Sequence, residues 1–408
     1  MTDAETLAER VRADELRLYE LEAHADAETA ATARRRFLAD ETGVDLDATG
    51  EYAFGAAAAE SNIENLVGGA QLPLGVAGPL PVEGGAVTGE VYLPLATTEG
   101  ALVASVNRGC SAIAAAGGAN ARVTRSAMTR APVFRAADVT EGAEVAQWVE
   151  ENTAALAAAA EETTAHGELI DVDPYVVGDS LFLRFAYDTK DAMGMNMATI
   201  ATEAACEVVE AETPAELVAV SGNLCTDKKP AAINAVEGRG RTVTADVRLA
   251  RGTVEERFST TPAAIAEANT RKNLVGSAKA ASLGFNAQAA NVVAAVFLAT
   301  GQDAAHVVEG ANCITTVEAR EGELYASVNL ASLPVGTVGG GTGLATQREA
   351  LSLLGLAGGD PPGSGDPPGS SADALAEIVA AGALAGELSL LAALAGRHLG
   401  RAHESLGR

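Results

Sequence analysis

Between residues 131 and 219 the chain alternates in an order that few folds accept. Residues 131–134 form a short apolar run that predicts a strand, and 141–164 are acidic, alanine-rich and predict a helix. The apolar runs 169–177 and 180–187 are parted only by Gly178-Asp179, which predicts a hairpin. Residues 193–212 predict a second helix and 215–220 a last strand. The order β-α-β-β-α-β is that of a split, ferredoxin-like unit. We therefore expect an α+β chain in which this small domain, 131–219, is inserted into a large helix-centred one. The large domain would be built from 51–130 and 220–408, behind an N-terminal helical region over 1–50.

Outside that unit the patterning is plainer. Residues 3–45 alternate charge with Leu, Ala and Val at helical spacing, predicting two or three short helices. Pro73, Gly75, Gly78 and Pro79 make 63–80 read as loop, 85–95 as strand, and 100–119 as a small-residue helix able to pack closely on other backbones. A long buried helix is expected over 269–300 and a glycine-rich loop over 335–343. Residues 359–370 are Gly-Asp-Pro-Pro-Gly-Ser written twice, with no core-forming side chain, and read as an exposed, mobile loop. The apolar stretch 375–396 contains Glu377 and Glu387, which favours a core helix over a membrane span.

Charge narrows the function classes. With 28 basic and 55 acidic residues the net charge is −27, a field that repels nucleic acid and anionic membranes. Lysine occurs only at 190, 228, 229, 272 and 279, and an acid-rich, lysine-poor surface suits high salt. Four widely spaced cysteines form no metal pattern and read as reduced thiols. The first thirty residues are charged throughout, unlike a secretory signal, so a soluble cytoplasmic protein is expected.

Several segments could carry chemistry. Pro230 disfavours helix at Lys229, placing Lys228 and Lys229 on a loop beside Asp227. Such a pair can hold an acidic substrate and polarise a carbonyl oxygen, or be a solvated basic turn. Glu99, between a strand and a helix, could be desolvated into a proton donor, or simply favour a helix N-terminus. Asp303 follows the long helix, where the macrodipole disfavours an acid unless a cation is near; an ordinary turn is the alternative. His403 could protonate a leaving thiolate or lie idle on a fraying helix. No GxGxxG follows a strand, so a Rossmann domain is not supported. DAMGMNM, 191–197, and GTVGGGTG, 336–343, are the remaining candidates for phosphate or close backbone contact.

Together with ENLVGGAQLPLGVAGPL (64–80), TTEGALVAS (97–105), SGNLCTDKKPAAINAVEGRGR (221–241) and GQDAA…NCITT (301–316), these motifs resemble class I 3-hydroxy-3-methylglutaryl-CoA (HMG-CoA) reductases over essentially the whole chain. The resemblance implies reduction of HMG-CoA to mevalonate and CoA by two hydrides from NADPH, with NADH the alternative. It implies Glu99 as catalytic acid, Lys228 as oxyanion stabiliser, Asp303 coupled to both, and His403 as the donor to CoA thiolate. Arg130, Ser221, Asp227, Lys229, Lys272 and Asn291 match substrate-binding positions; Asp191, Met195, Asn196, Gly339, Gly340 and Gly341 match cofactor contacts. It further implies a homodimer or dimer of dimers, with active sites between subunits and the 64–80 segment at the interface. Where the family carries an arginine for the cofactor phosphate, this chain reads Thr163-Thr164-Ala165-His166, and Lys279 stands where methionine is usual.

Overall fold

The computed structural model describes residues 2–360 and 365–396. Two helices open the chain, α1 (Ala4–Arg12) and α2 (Ala27–Thr42), each started by an aspartate whose carboxylate accepts a backbone N–H two residues into the helix: Asp3 from Thr6, Asp26 from Thr29. Gly43, at φ 70°, ends α2 in the left-handed conformation.

The rest is organised by one sheet. In chain order come β1 (Leu74–Glu83), β2 (Thr88–Ala96), α3 (Leu102–Ala115), β3 (Ala119–Arg130), β4 (Val133–Arg135), α4 (Val139–Glu151), α5 (Thr153–Glu161), β5 (Glu168–Val177), β6 (Ser180–Asp188), α6 (Met195–Glu212), β7 (Glu216–Ala219), β8 (Gly240–Ala250), α7 (Ala289–Thr300), β9 (Cys313–Arg320), β10 (Glu323–Leu333) and α8 (Ser370–Ala395). The strand order is β7-β4-β6-β3-β8-β10-β9, with β5 against β6, and β1 and β2 branching from β3. Residues 133–219 alone give β7-β4-β6-β5, all antiparallel, the arrangement of a split β-α-β unit. The sheet does not stop at that unit: β3 pairs with β8 along 120–127 and with β6 at 128–130. One strand therefore ties the layers together and carries Arg130 to the seam.

The helix at the centre of the large layer is α8, buried along most of its length against α3, α7, β3 and β8. It is long and apolar enough to cross a membrane, yet its side chains are spent inside the protein. Its close fit to α3 needs a glycine, since a Cβ on Gly109 would lie 2.0 Å from the Ala385 carbonyl oxygen. Glu377 and Glu387, 1 % and 0 % exposed, each hold a loop in place. Glu377 accepts the N–H groups of Gly85, Ala86 and Val87. Glu387 accepts those of Ala287 and Gln288 at 2.7 and 2.6 Å and the Thr315 hydroxyl at 2.7 Å. Burial pushes the Glu387 carboxyl above its usual range, against the pull of these donors.

Several sequence expectations need correction. The helix expected over 269–300 is broken: a π-helical segment, Asn269–Gly276, and one short turn, Ser277–Lys279, end before Ala281 at φ 55°, and α7 begins only at Ala289. Glu387 and the Asn286 side-chain oxygen accept the N–H groups of Ala287, Gln288 and Ala289, which a continuous helix would have used. The helix expected over 141–164 is two, broken at Asn152, whose side chain bonds the Trp148 carbonyl. The loop expected over 63–80 already enters β1 at Leu74, with Gly78 and Pro79 absorbed at an irregularity in the β1–β2 pairing. The described ends of 359–370 are anchored rather than free, because Asp360 accepts from the N–H groups of Ser370 and Ser371 and from the Ser371 hydroxyl.

A net charge of −27 on this frame makes self-repulsion the dominant salt-dependent contribution. Raising KCl from about 0.1 M to about 2 M is expected to raise the thermal midpoint; a midpoint that stays fixed contradicts that view of the surface.

Candidate active site

Seven titratable side chains on four segments form one connected cluster where the seam of the sheet meets the end of α7. Arg130, at the end of β3, lies 3.8 Å from Asp227. Asp227 also receives Arg239, the residue before β8, at 3.0 Å. Arg239 is fully buried and reaches Glu309 at 2.7 Å and the His306 Nδ1 at 3.2 Å. By donor type Asp227, His306 and Glu309 would suit a metal ion, but the Arg239 guanidinium already occupies the space among them. Asp303 closes the cluster by taking the Lys228 ammonium at 2.8 Å.

The local backbone explains why the pair can meet. Lys228 sits on a loop, as Pro230 requires, at φ 57°, with its own N–H donated to Glu309 at 3.2 Å. Asp303 starts a short 3₁₀ turn and uses one oxygen to accept the Ala305 N–H, leaving the other for Lys228. The hydrogen bond to Asp303 holds the Lys228 ammonium above its usual range. Burial would raise the Asp303 carboxyl, but the Lys228 bond and the Ala305 N–H outweigh it and the group is held low. Both shifts keep the pair ionised across neutral pH.

Glu99 belongs to a second group. It is exposed on the β2–α3 turn, with its N–H on the Thr97 hydroxyl, and it accepts from Asn291 at 3.3 Å. Asn291 in turn bonds Gln288, which Glu387 fixes from below. The two groups stand at opposite ends of α7, since about 14 Å of helix separates Asn291 from Thr300. Among the described residues no hydrogen bond or ion pair joins them. The desolvation expected at Glu99 is therefore not supplied by the described residues. A hollow of about 230 Å³ beside Glu99 continues, through Leu72, Ala96 and Leu298, into one of about 570 Å³ lined by Tyr52, Phe54 and Leu344.

DAMGMNM and the glycine-rich loop lie side by side: Ala192 and Val338 pair as neighbouring strands, and a Cβ on Gly336 would strike the Met193 nitrogen at 2.4 Å. Among the described residues the N-terminus of α6, at Met195 and Asn196, has no side-chain cap, which leaves its first N–H groups without a side-chain acceptor. Gly339 and Gly340 have positive φ and open space around them, whereas Gly341 is packed on Gly301. Asp191 is otherwise engaged, accepting the N–H groups of Asp360 and Ala372 at 3.1 and 3.0 Å. Burial and the neighbouring Asp360 charge push its carboxyl up. Arg241, 2 % exposed, ties this corner together through Asp373, the Val335 carbonyl and the Lys190 carbonyl.

Of the other candidates, Ser221 is exposed 4.0 Å from the Cys225 sulfur, Lys229 reaches only the Asp227 carbonyl, and Lys272 is exposed and lends its charge to Glu387. His403 lies outside the described residues. The sequence reading missed Arg239, His306 and Glu309. The only available signals were a histidine four residues before Gly310, one of five in the chain, and the first arginine of EGRGR.

Residues 30–408 match the model of the hydroxymethylglutaryl-coenzyme A reductase family. The chain is 76 % identical to 3-hydroxy-3-methylglutaryl-coenzyme A reductase of Halobacterium salinarum, over all of this chain and 99 % of that one. It is 71 % identical to the protein of the same name from Haloferax volcanii, over the whole of both. Among solved structures it resembles the NADPH-bound class II 3-hydroxy-3-methylglutaryl-CoA reductase of Streptococcus pneumoniae, with a TM-score of 0.67 at 20 % identity, covering 93 % of this chain and all of that one.

Proposed function

We propose that this chain, which belongs to the hydroxymethylglutaryl-coenzyme A reductase family, reduces HMG-CoA to mevalonate and CoA. The observation that carries the reading is the Lys228–Asp303 ion pair, set on a fixed loop beside Arg130 and Asp227. The substrate offers a carboxylate, a tertiary hydroxyl and a thioester carbonyl. Arg130 and Lys229 suit the carboxylate, and Ser221 and Asp227 suit the hydroxyl. Lys228 polarises the carbonyl oxygen and stabilises the alkoxide formed when that carbon is reduced. Collapse of the hemithioacetal expels CoA thiolate, for which His403 is our proton donor. Reduction of the remaining aldehyde places a second alkoxide on Lys228, and Glu99 of a second copy, held by its Asn291 and brought across the interface, supplies a proton to oxygen.

A nicotinamide dinucleotide would supply the hydrides. The uncapped start of α6 at Met195 and Asn196, on a segment that runs beside the loop carrying the open Gly339 and Gly340, fits its phosphates, while Asp191 orders the segment. Lys272 is assigned to the substrate side with Asn291. We assign NADPH over NADH on the family resemblance; within residues 163–166 His166 is the one side chain able to take up a positive charge. We also read the active unit as a homodimer or dimer of dimers. Exposed Glu99 and the exposed apolar residues Ile63, Leu72, Leu74, Val76 and Tyr92 support a covering second copy. A class I sequence type and a soluble cytoplasmic enzyme belong to the same proposal, the first supported by the motif forms and the second by the burial of α8.

Initial rates in molar KCl with HMG-CoA and either NADPH or NADH, with the product identified by mass spectrometry, test this. Mevalonate formed faster with NADPH is expected. A faster rate with NADH overturns the cofactor assignment alone; no mevalonate with either overturns the function.

A further inference from the structure

His306 has no place in the chemistry above, yet its surroundings are built with care. The ring is fully buried on the turn that begins at Asp303. Its Nδ1 is met by Glu309 at 2.8 Å and by Arg239 at 3.2 Å, with Asp227 at 3.7 Å. Among the described residues its Nε2 has no hydrogen-bond partner, and the group facing it is the Asp303 oxygen that holds Lys228, 3.6 Å away. A buried polar atom left unmatched is costly, and here it is aimed at one place. A hydrogen on Nε2 would point at that carboxylate oxygen, while Nδ1, between the Glu309 carboxylate and the Arg239 guanidinium, has a partner in either role.

We propose that His306 is a positioning residue that steadies Asp303 when the Lys228 ammonium turns part of its charge toward the substrate oxygen. This rests on the reaction proposed above. An ammonium has three N–H donors, so Lys228 can keep Asp303 at 2.8 Å while another donor meets a developing alkoxide, and its charge is then shared between the two oxygens. As the charge is shared, the Asp303 carboxylate is held less firmly in a half-buried site. A shift of well under 1 Å brings Nε2–H of His306 into hydrogen-bond distance of the same oxygen. The ring is faced by three carboxylates, Asp303, Glu309 and Asp227, and by one guanidinium, Arg239, with the Lys228 ammonium beyond Asp303. Glu309 anchors the device from below, since one of its oxygens receives Arg239, His306 and the Lys228 backbone N–H together.

The test compares His306→Leu, His306→Gln and His306→Asn in molar KCl. The glutamine amide can still donate toward Asp303, whereas leucine cannot and asparagine stops short. Expected is a kcat per active site roughly 10–100-fold lower in His306→Leu and His306→Asn with KM for HMG-CoA little changed, and largely restored in His306→Gln. The acid limb of the kcat profile should also move to higher pH in the two impaired variants, as Asp303 becomes easier to protonate. A purely structural role predicts a lower thermal midpoint in all three, with the profile unmoved and glutamine no better than asparagine, which would overturn the proposal. Should leucine prevent folding, asparagine against glutamine carries the comparison. Carboxyl ¹³C titration of Asp303 reads the same effect without turnover. A raised Asp303 value in His306→Asn supports the inference even if the protein reduces nothing, and an unchanged value overturns it even if the enzyme is fully active.

Discussion

Lys228→Ala is expected to lower kcat about 10²–10³-fold with the fold intact. The ammonium is the cation beside Asp303, and the charge it would stabilise exists only after carbon has accepted hydride. Its loss should therefore fall on kcat more than on KM. The side chain is 43 % exposed, so the fold itself owes it little. Lys228→Arg is not a substitute, because a planar guanidinium cannot place one compact charge at the same point. A purified, folded Lys228→Ala protein with ordinary kcat would remove the residue from the mechanism.

Glu387→Leu is expected to destabilise the protein by about 3–5 kcal/mol, measured by denaturant unfolding at fixed high salt. Leucine fits the volume but strands the Ala287 and Gln288 N–H groups and the Thr315 hydroxyl in a site that is 0 % exposed. Each buried donor left unmatched costs about 1–3 kcal/mol. The damage should also reach activity, because the same carboxylate fixes Gln288, Gln288 bonds Asn291, and Asn291 holds Glu99. A variant within about 1 kcal/mol of the parent would show that those donors find other partners, and that Glu387 does not organise the start of α7.

The small unit was legible because its strands are apolar runs cut by clear punctuation. Gly178-Asp179 marks the β5–β6 turn almost to the residue. The interrupted helix before α7 was not legible, because its cause lies about a hundred positions away on α8 in Glu387. An alanine-rich run reads as helix whether or not a distant carboxylate claims its N–H groups. The same holds at the site. Lys228 stood out through its rarity and through Pro230, and Asp303 through an unfavourable position that called for a cation. Arg239, His306 and Glu309 carry no local signature, since what joins them is contact between the β8 approach and the turn after α7. Asp191 shows the converse: its motif pointed to a cofactor, while its carboxylate is occupied in starting α8.

The central claim is that one lysine-centred site carries two reductions of one carbon. Counting cofactor oxidised at 340 nm against CoA thiol released, with limiting HMG-CoA in molar KCl, tests it directly. Two cofactors oxidised per thiol is the result this account requires. A ratio of one, with aldehyde accumulating, or thiol released with no cofactor oxidised, would contradict it.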